Sequence, residues 1–199
     1  MTDHENTHLM DKVADALRKA AVEIEEFQVK SALGKAEAQD KYEEVKKKFN
    51  RFIHDSKSKM KTGKEKLDDL HTKLDELRVQ LALGKAESRD AFVEQKRKLL
   101  SLLHQVEVKI KTNEKFRKLY AILLIEIEIF KVQLEILEEK FDEGKDGAKA
   151  AFEKGKREFN DFIETLKTKD TKEEETRWEH FQGEISEAFD HFKQAFKKD

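Results

Sequence analysis

The chain contains no cysteine and no proline, and it has only seven glycines, one tryptophan and two tyrosines in 199 residues. Without cysteine there is no disulfide framework, thiolate nucleophile, cysteine-ligated zinc or iron–sulfur cluster. Without proline the strongest helix breaker is missing. A large charge of either sign is also lacking: the formal net charge of −2 gives no bulk attraction for nucleic acid or anionic lipid. No apolar run is long enough for a membrane span, because the most apolar stretch, 120–137, is interrupted by Glu126, Glu128, Lys131, Gln133 and Glu135. Residues 1–12 are polar and lack the layout of a signal peptide, so a soluble, cytoplasmic protein is expected.

What is abundant is charge, at 42% of residues against 37% hydrophobic, a balance ill suited to a large spherical core. Leu, Ile, Val and Phe nevertheless make up about a quarter of the chain, above the level of disordered sequence. Good helix formers dominate the remainder, and an all-α fold is expected.

The sequence repeats itself. VKSALGKAEAQDKYEEVKKKFNRFIH at 29–54 aligns with VQLALGKAESRDAFVEQKRKLLSLLH at 79–104, a shift of 50 with 12 of 26 positions identical. A weaker third copy, 143–163, matches 33–53 at a shift of 110, so that Gly34, Gly84 and Gly144 correspond, as do Tyr42, Phe92 and Phe152. Turn chemistry recurs too: Gly63 and Asn113, both tolerant of the left-handed conformation that ends helices, lie 50 apart, and Asp170 or Thr171 is placed to cap a helix with Glu173 or Glu174. These breaks predict four helices, 8–60, 64–110, 114–168 and 172–197, after a flexible tail at 1–7. The three aligned glycines either sit mid-helix, at about 1 kcal/mol each, or end helices and give about seven short ones; the flanking helix formers favour mid-helix.

Helices of about 50 residues need partners along their length. The heptad steps Tyr42, Val45, Phe49, Phe52 and Tyr120, Leu123, Ile127, Phe130, Leu134, Leu137, Phe141 supply the seams, and short turns predict antiparallel neighbours. The expectation is one elongated antiparallel bundle of three long helices and one half-length helix, spanning 8–199. Phe49, Phe52, Leu67, Leu70, Leu74, Phe159, Phe162, Trp178 and Phe181 are expected to meet at one end as an aromatic core. The other end has three helices, and there Tyr120, Leu124, Ile125, Ile129, Val132 and Ile136 form a candidate interaction surface for a second copy or a protein partner, since so wide an apolar helix wants more cover than two neighbours give.

The residues suggest no catalytic site, cofactor, metal or small-molecule substrate. Glu5 with His8 is the only Glu-x-x-His pair, Glu187 and His191 read as a solvated pair, and His54 and His104 read as histidines at the core edge. No nucleotide-binding or hydrolase motif occurs. Lys46, Lys47, Lys48, Arg51, Lys57, Lys59, Lys61, Lys64 and Lys66 cluster, yet Asp55, Glu65, Asp68 and Asp69 are interleaved, so nucleic acid is not an expected partner.

The C-terminal segment carries an 11-residue repeat, WEHFQGEISEA at 178–188 followed by FDHFKQAFKKD at 189–199. At 3.67 residues per turn, Trp178, Phe181, Ile185, Phe189, Phe192 and Phe196 hold one stripe that either closes the core or lies on a membrane surface. Glu179, Glu184, Glu187 and Asp190 on the polar face favour core. This run resembles the terminal helix of uncharacterised bacterial coiled-coil-domain proteins, and its period is similar to that of apolipoprotein-like and late-embryogenesis-abundant helical repeats. The resemblance implies a helical protein without catalytic residues. The expected function is non-enzymatic, a structural or interaction scaffold; the second expectation is a peripheral lipid-surface or stress-protective protein.

Overall fold

The computed structural model describes residues 3–30, 35–60, 68–83, 86–111, 117–141, 148–168 and 174–194, with no strand among them. The described residues form seven α-helices: α1 (Asp3–Lys30), α2 (Lys35–Met60), α3 (Asp68–Ala82), α4 (Arg89–Lys111), α5 (Arg117–Phe141), α6 (Ala148–Thr168) and α7 (Glu174–Gln194). The fold is all-α, as composition predicts. Four helices are not what forms. The expected turns fall between α2 and α3, α4 and α5, and α6 and α7, but helices also stop and restart on either side of Gly34, Gly84 and Gly144. These glycines and the turn residues lie outside the described residues; only beside Gly84 is the break itself described, with Leu83, Ala86, Glu87 and Ser88 out of helix, against the mid-helix expectation there. The helix also begins earlier than expected, at Asp3, within the segment read as a tail.

The connection from α3 to α4 shows what competes with a continuous helix. Leu83 N donates to Gln80 O at 3.2 Å, ending α3 in a tight turn. Ser88 Oγ then accepts from Ala91 N at 3.1 Å, and Phe92 N donates to Ser88 O at 3.0 Å, so Ser88 is the N-cap of α4. A glycine that disfavours helix by about 1 kcal/mol and a capping serine four residues later together outweigh the propensity of the intervening residues. The aligned position in the first repeat is Ala38, which cannot cap and lies buried inside α2. Ser88→Ala is expected to lower stability by about 1 kcal/mol; a urea midpoint unchanged from wild type would show that the cap contributes nothing.

Where the sequence suggests one domain, the chain divides into two compact units. The first comprises Met1–Lys30, Lys118–Glu135 and Gly144–Asp199; the second comprises Ser31–Arg117 and Ile136–Glu143. In the second unit, α3 packs against both α2 and α4. Lys46 reaches Leu83 O, Arg78 Nε donates to Asn50 Oδ1 at 2.9 Å and Lys57 pairs with Asp75, so α2 and α3 run antiparallel. Lys109 pairs with Asp69 at 2.9 Å, which makes α4 antiparallel to α3 as well. Leu70, Leu74, Leu77 and Leu81 step by 4, 3, 4 along the buried face of α3, opposite buried Phe49, Ile53, Leu99, Leu103 and Val106. Each such side chain contributes about 1.5–3 kcal/mol by leaving water.

In the first unit α6 packs against α1 and α7. Val13, Leu17, Ala20, Ile24 and Phe27 are the buried stripe of α1, and Lys156 joins Glu25 at 2.5 Å across the α1–α6 contact. The residues expected to form one aromatic core are divided between the units: Phe49, Phe52, Leu70 and Leu74 belong to the second, Phe159 and Phe162 to the first. Leu67 and the side chains of Trp178 and Phe181 lie outside the described residues.

Candidate functional site

Helix α5 corrects the sequence-based interaction surface. Leu124, Ile125, Ile129, Val132 and Ile136 are all buried within the chain, as are the seam residues Leu123, Ile127, Phe130, Leu134 and Leu137. From 121 to 140 no residue of α5 is exposed. The sequence argument correctly finds that this helix demands cover on most of its circumference; what it misses is that the chain's own helices provide it. Tyr120, the sixth member, has a side chain outside the described residues.

The C-terminal stripe is core where it is described. Ile185, Phe189 and Phe192 are buried, and the Phe159 ring meets Phe189 edge-on at 4.8 Å between centroids and Phe192 at 5.1 Å. The side chains of Trp178, Phe181 and Phe196 lie outside the described residues.

Chemistry-bearing groups inside the protein form two ionic clusters, one per unit, neither anticipated from sequence. In the second unit, Tyr42 of α2 and Phe92 of α4, aligned positions of the repeat, meet edge-to-face at 4.9 Å. One turn on, the side chain of Lys46 is only 1% exposed. Its Nζ pairs with Glu43 at 2.7 Å, donates to Leu83 O at 2.8 Å and lies 4.6 Å from the centre of the Tyr42 ring. The aligned Lys96 is buried too and pairs with Glu138 of α5. Tyr42 Oη donates to Gln95 Oε1 at 3.0 Å. Burial, reinforced by the neighbouring Glu43 carboxylate, lifts the Tyr42 hydroxyl well above its ordinary value of 10.0.

That shift predicts a pH dependence. A phenol whose folded pKa exceeds its unfolded one contributes stability that is intact below the unfolded value and is lost as pH climbs toward the folded value. Stability is therefore expected to fall above pH 10, by up to about 1.4 kcal/mol per pH unit from this group. Urea unfolding on either side of pH 10 should show a shallower decline for Tyr42→Phe; an equal slope would remove Tyr42 as the cause.

In the first unit, Glu128 of α5 is 2% exposed and lies between Lys193 of α7 at 2.8 Å and Lys131 of its own helix at 3.1 Å. Asp190 completes the cluster, 2.6 Å from Lys193, which leaves two cations and two anions. Burial works against the Lys193 ammonium, but Glu128 and Asp190 outweigh it and hold the group above its ordinary range. Nearby, Gln133 donates to Glu23 Oε1 at 3.2 Å, tying α5 to α1.

The remaining candidates lie on the outside. His54 and His104 are exposed, not at the core edge as expected, one position beyond buried Ile53 and Leu103. Glu187 is exposed, and the side chains of His191, Glu5 and His8 lie outside the described residues. The basic cluster loses Lys46 to the interior and Lys57 to Asp75. Exposed apolar side chains are scattered valines, such as Val22 and Val29 on α1 and Val79 on α3, with Leu83. Among the described residues no group of three or more potential ligands gathers to hold a metal, and no helix is long and apolar enough to cross a membrane. Comparison with protein-family models, with curated proteins and with solved structures finds no match to this chain.

Proposed function

We infer that the protein is a non-enzymatic helical-bundle scaffold that acts by binding other proteins through the outer, charged faces of its helices. The observation that carries this reading is the inward assignment of its chemistry: among the described residues, Tyr42, Lys46, Lys96, Glu128 and Lys193 are ionisable groups in apolar surroundings that each bond to other parts of the fold. The sequence repeat supports an elongated antiparallel arrangement of the helices. Small-angle scattering tests it: a radius of gyration near the roughly 16 Å of a compact chain of this length would overturn the elongated form.

The lipid-surface alternative requires α7 to expose Ile185, Phe189 and Phe192, which are buried against the rest of the first unit. Leaving those contacts costs about 1.5–3 kcal/mol per side chain before any lipid contact is regained. The scaffold reading expects the full chain to stay at the bottom of a flotation gradient with either zwitterionic or anionic vesicles. It also expects a defined protein complex, formed at fixed stoichiometry and broken by charge reversal on an outer helix face. Flotation abolished by Phe189→Glu would favour the lipid reading instead.

A further inference from the structure

Helices α2 and α4 come from aligned repeats and both pack on α3, which raises the question of what stops each from taking the other's place. Such exchange is the characteristic failure of repeated sequences. Their lysines, Lys46 and Lys96, occupy aligned positions and are both buried, yet their carboxylates come from different places. Lys46 has Glu43 three residues back in its own helix, at 2.7 Å. At the position aligned with Glu43, α4 carries Val93, and the residues three and four away from Lys96 on both sides are Phe92, Val93, Leu99 and Leu100, none of them acidic. Its ion pair is made with Glu138, from the last turns of α5.

We propose that this difference is a partner-selecting device: the placement of one carboxylate, within the helix for Lys46 and across helices for Lys96, helps assign α2 and α4 to their separate positions in the second unit. With the two exchanged, the Lys46–Glu43 pair would bring a second carboxylate to Glu138, and Lys96 would enter the site beside Leu83 without an acidic residue three or four positions away on its own helix. Both outcomes place uncompensated charge in a buried setting, where a missing partner is most costly. A lone polar residue at a helix seam is known to fix register in this way, at some expense of stability.

The test moves the carboxylate. Glu138→Gln removes it, and Val93→Glu/Glu138→Gln gives α4 the arrangement of α2; position 93 is exposed and accepts the new side chain. Since the chain has no cysteine, spin labels on Arg97→Cys and Lys140→Cys report the α4–α5 distance directly in the otherwise intact protein. The wild-type background should give one narrow distance. Glu138→Gln should lower the melting temperature and add a second, longer distance. The double variant should recover the melting temperature while keeping the second distance, which separates partner selection from stability. A single narrow distance in every variant would overturn the proposal, as would a double variant that recovers neither folding nor melting temperature.

Discussion

Glu128→Ala is expected to destabilise the protein by about 3 kcal/mol, the lower end of the range for breaking a buried ion pair. The carboxylate is 2% exposed and is shared by Lys193 and Lys131, so its removal takes from two ammonium groups the buried carboxylate they share. Two features keep the loss from being larger. The lysine side chains retain 13% and 14% exposure and so part of their hydration, and Asp190 already holds Lys193 at 2.6 Å. Glu128→Gln, which keeps hydrogen-bonding capacity without charge, should cost less. Urea unfolding at neutral pH measures both; a loss below about 1 kcal/mol for the alanine variant would put the cluster in the class of surface pairs.

The second large effect is expected at Phe159. It is fully buried on α6 and touches Phe189 and Phe192 of α7, so it forms the aromatic centre of that helix pair. Phe159→Ala should lower stability by about 3–5 kcal/mol, through lost burial and the cavity left among rings that cannot close over it. Phe162, three residues on, is only half-buried, and its alanine variant should cost well under half as much. Hydrogen exchange gives a second measure: amides of α6 and α7 should lose protection in Phe159→Ala. Equal losses for the two phenylalanines would show that ring contact at Phe159 is not what holds α7.

Periodic features are legible in the sequence because burial follows geometry that the spacing encodes. The Ile185, Phe189, Phe192 stripe is buried as its period of 3.67 requires, and the α5 seam is buried together with the positions between its steps. The interruptions are harder to read. Beside Gly84, helix-forming flanks point one way and glycine the other, and the balance turns on the cap at Ser88 Oγ. Cover is the least legible quantity: nothing in the residues of α5 says whether Ile125 and Ile129 will meet a partner or the chain's own helices. Lys46 is an instructive miss. It reads as one of nine basic residues in a solvated run, yet it follows Tyr42 by four and precedes Phe49 by three, which places it on the seam face. Glu128 likewise follows Leu124 by four and precedes Val132 by four. A charged residue in phase with an apolar stripe is the sequence signal for both clusters.

The first unit is discontinuous: α1 leads the chain, while α6 and α7, which complete that unit, come last. Arg18 pairs with Glu164, and Glu25 with Lys156, across more than half the chain. During synthesis α1 must therefore wait, its Val13, Leu17, Ile24 and Phe27 stripe not fully covered, until α6 at 148–168 has emerged. Closing such a long loop is slow, whereas most of the second unit lies in one uninterrupted segment, Ser31–Arg117. Pulse-labelling hydrogen exchange should find α2, α3 and α4 protected first and the α1–α6 contact last, which makes the waiting N-terminal helix the part of the nascent chain most exposed to aggregation and to chaperones.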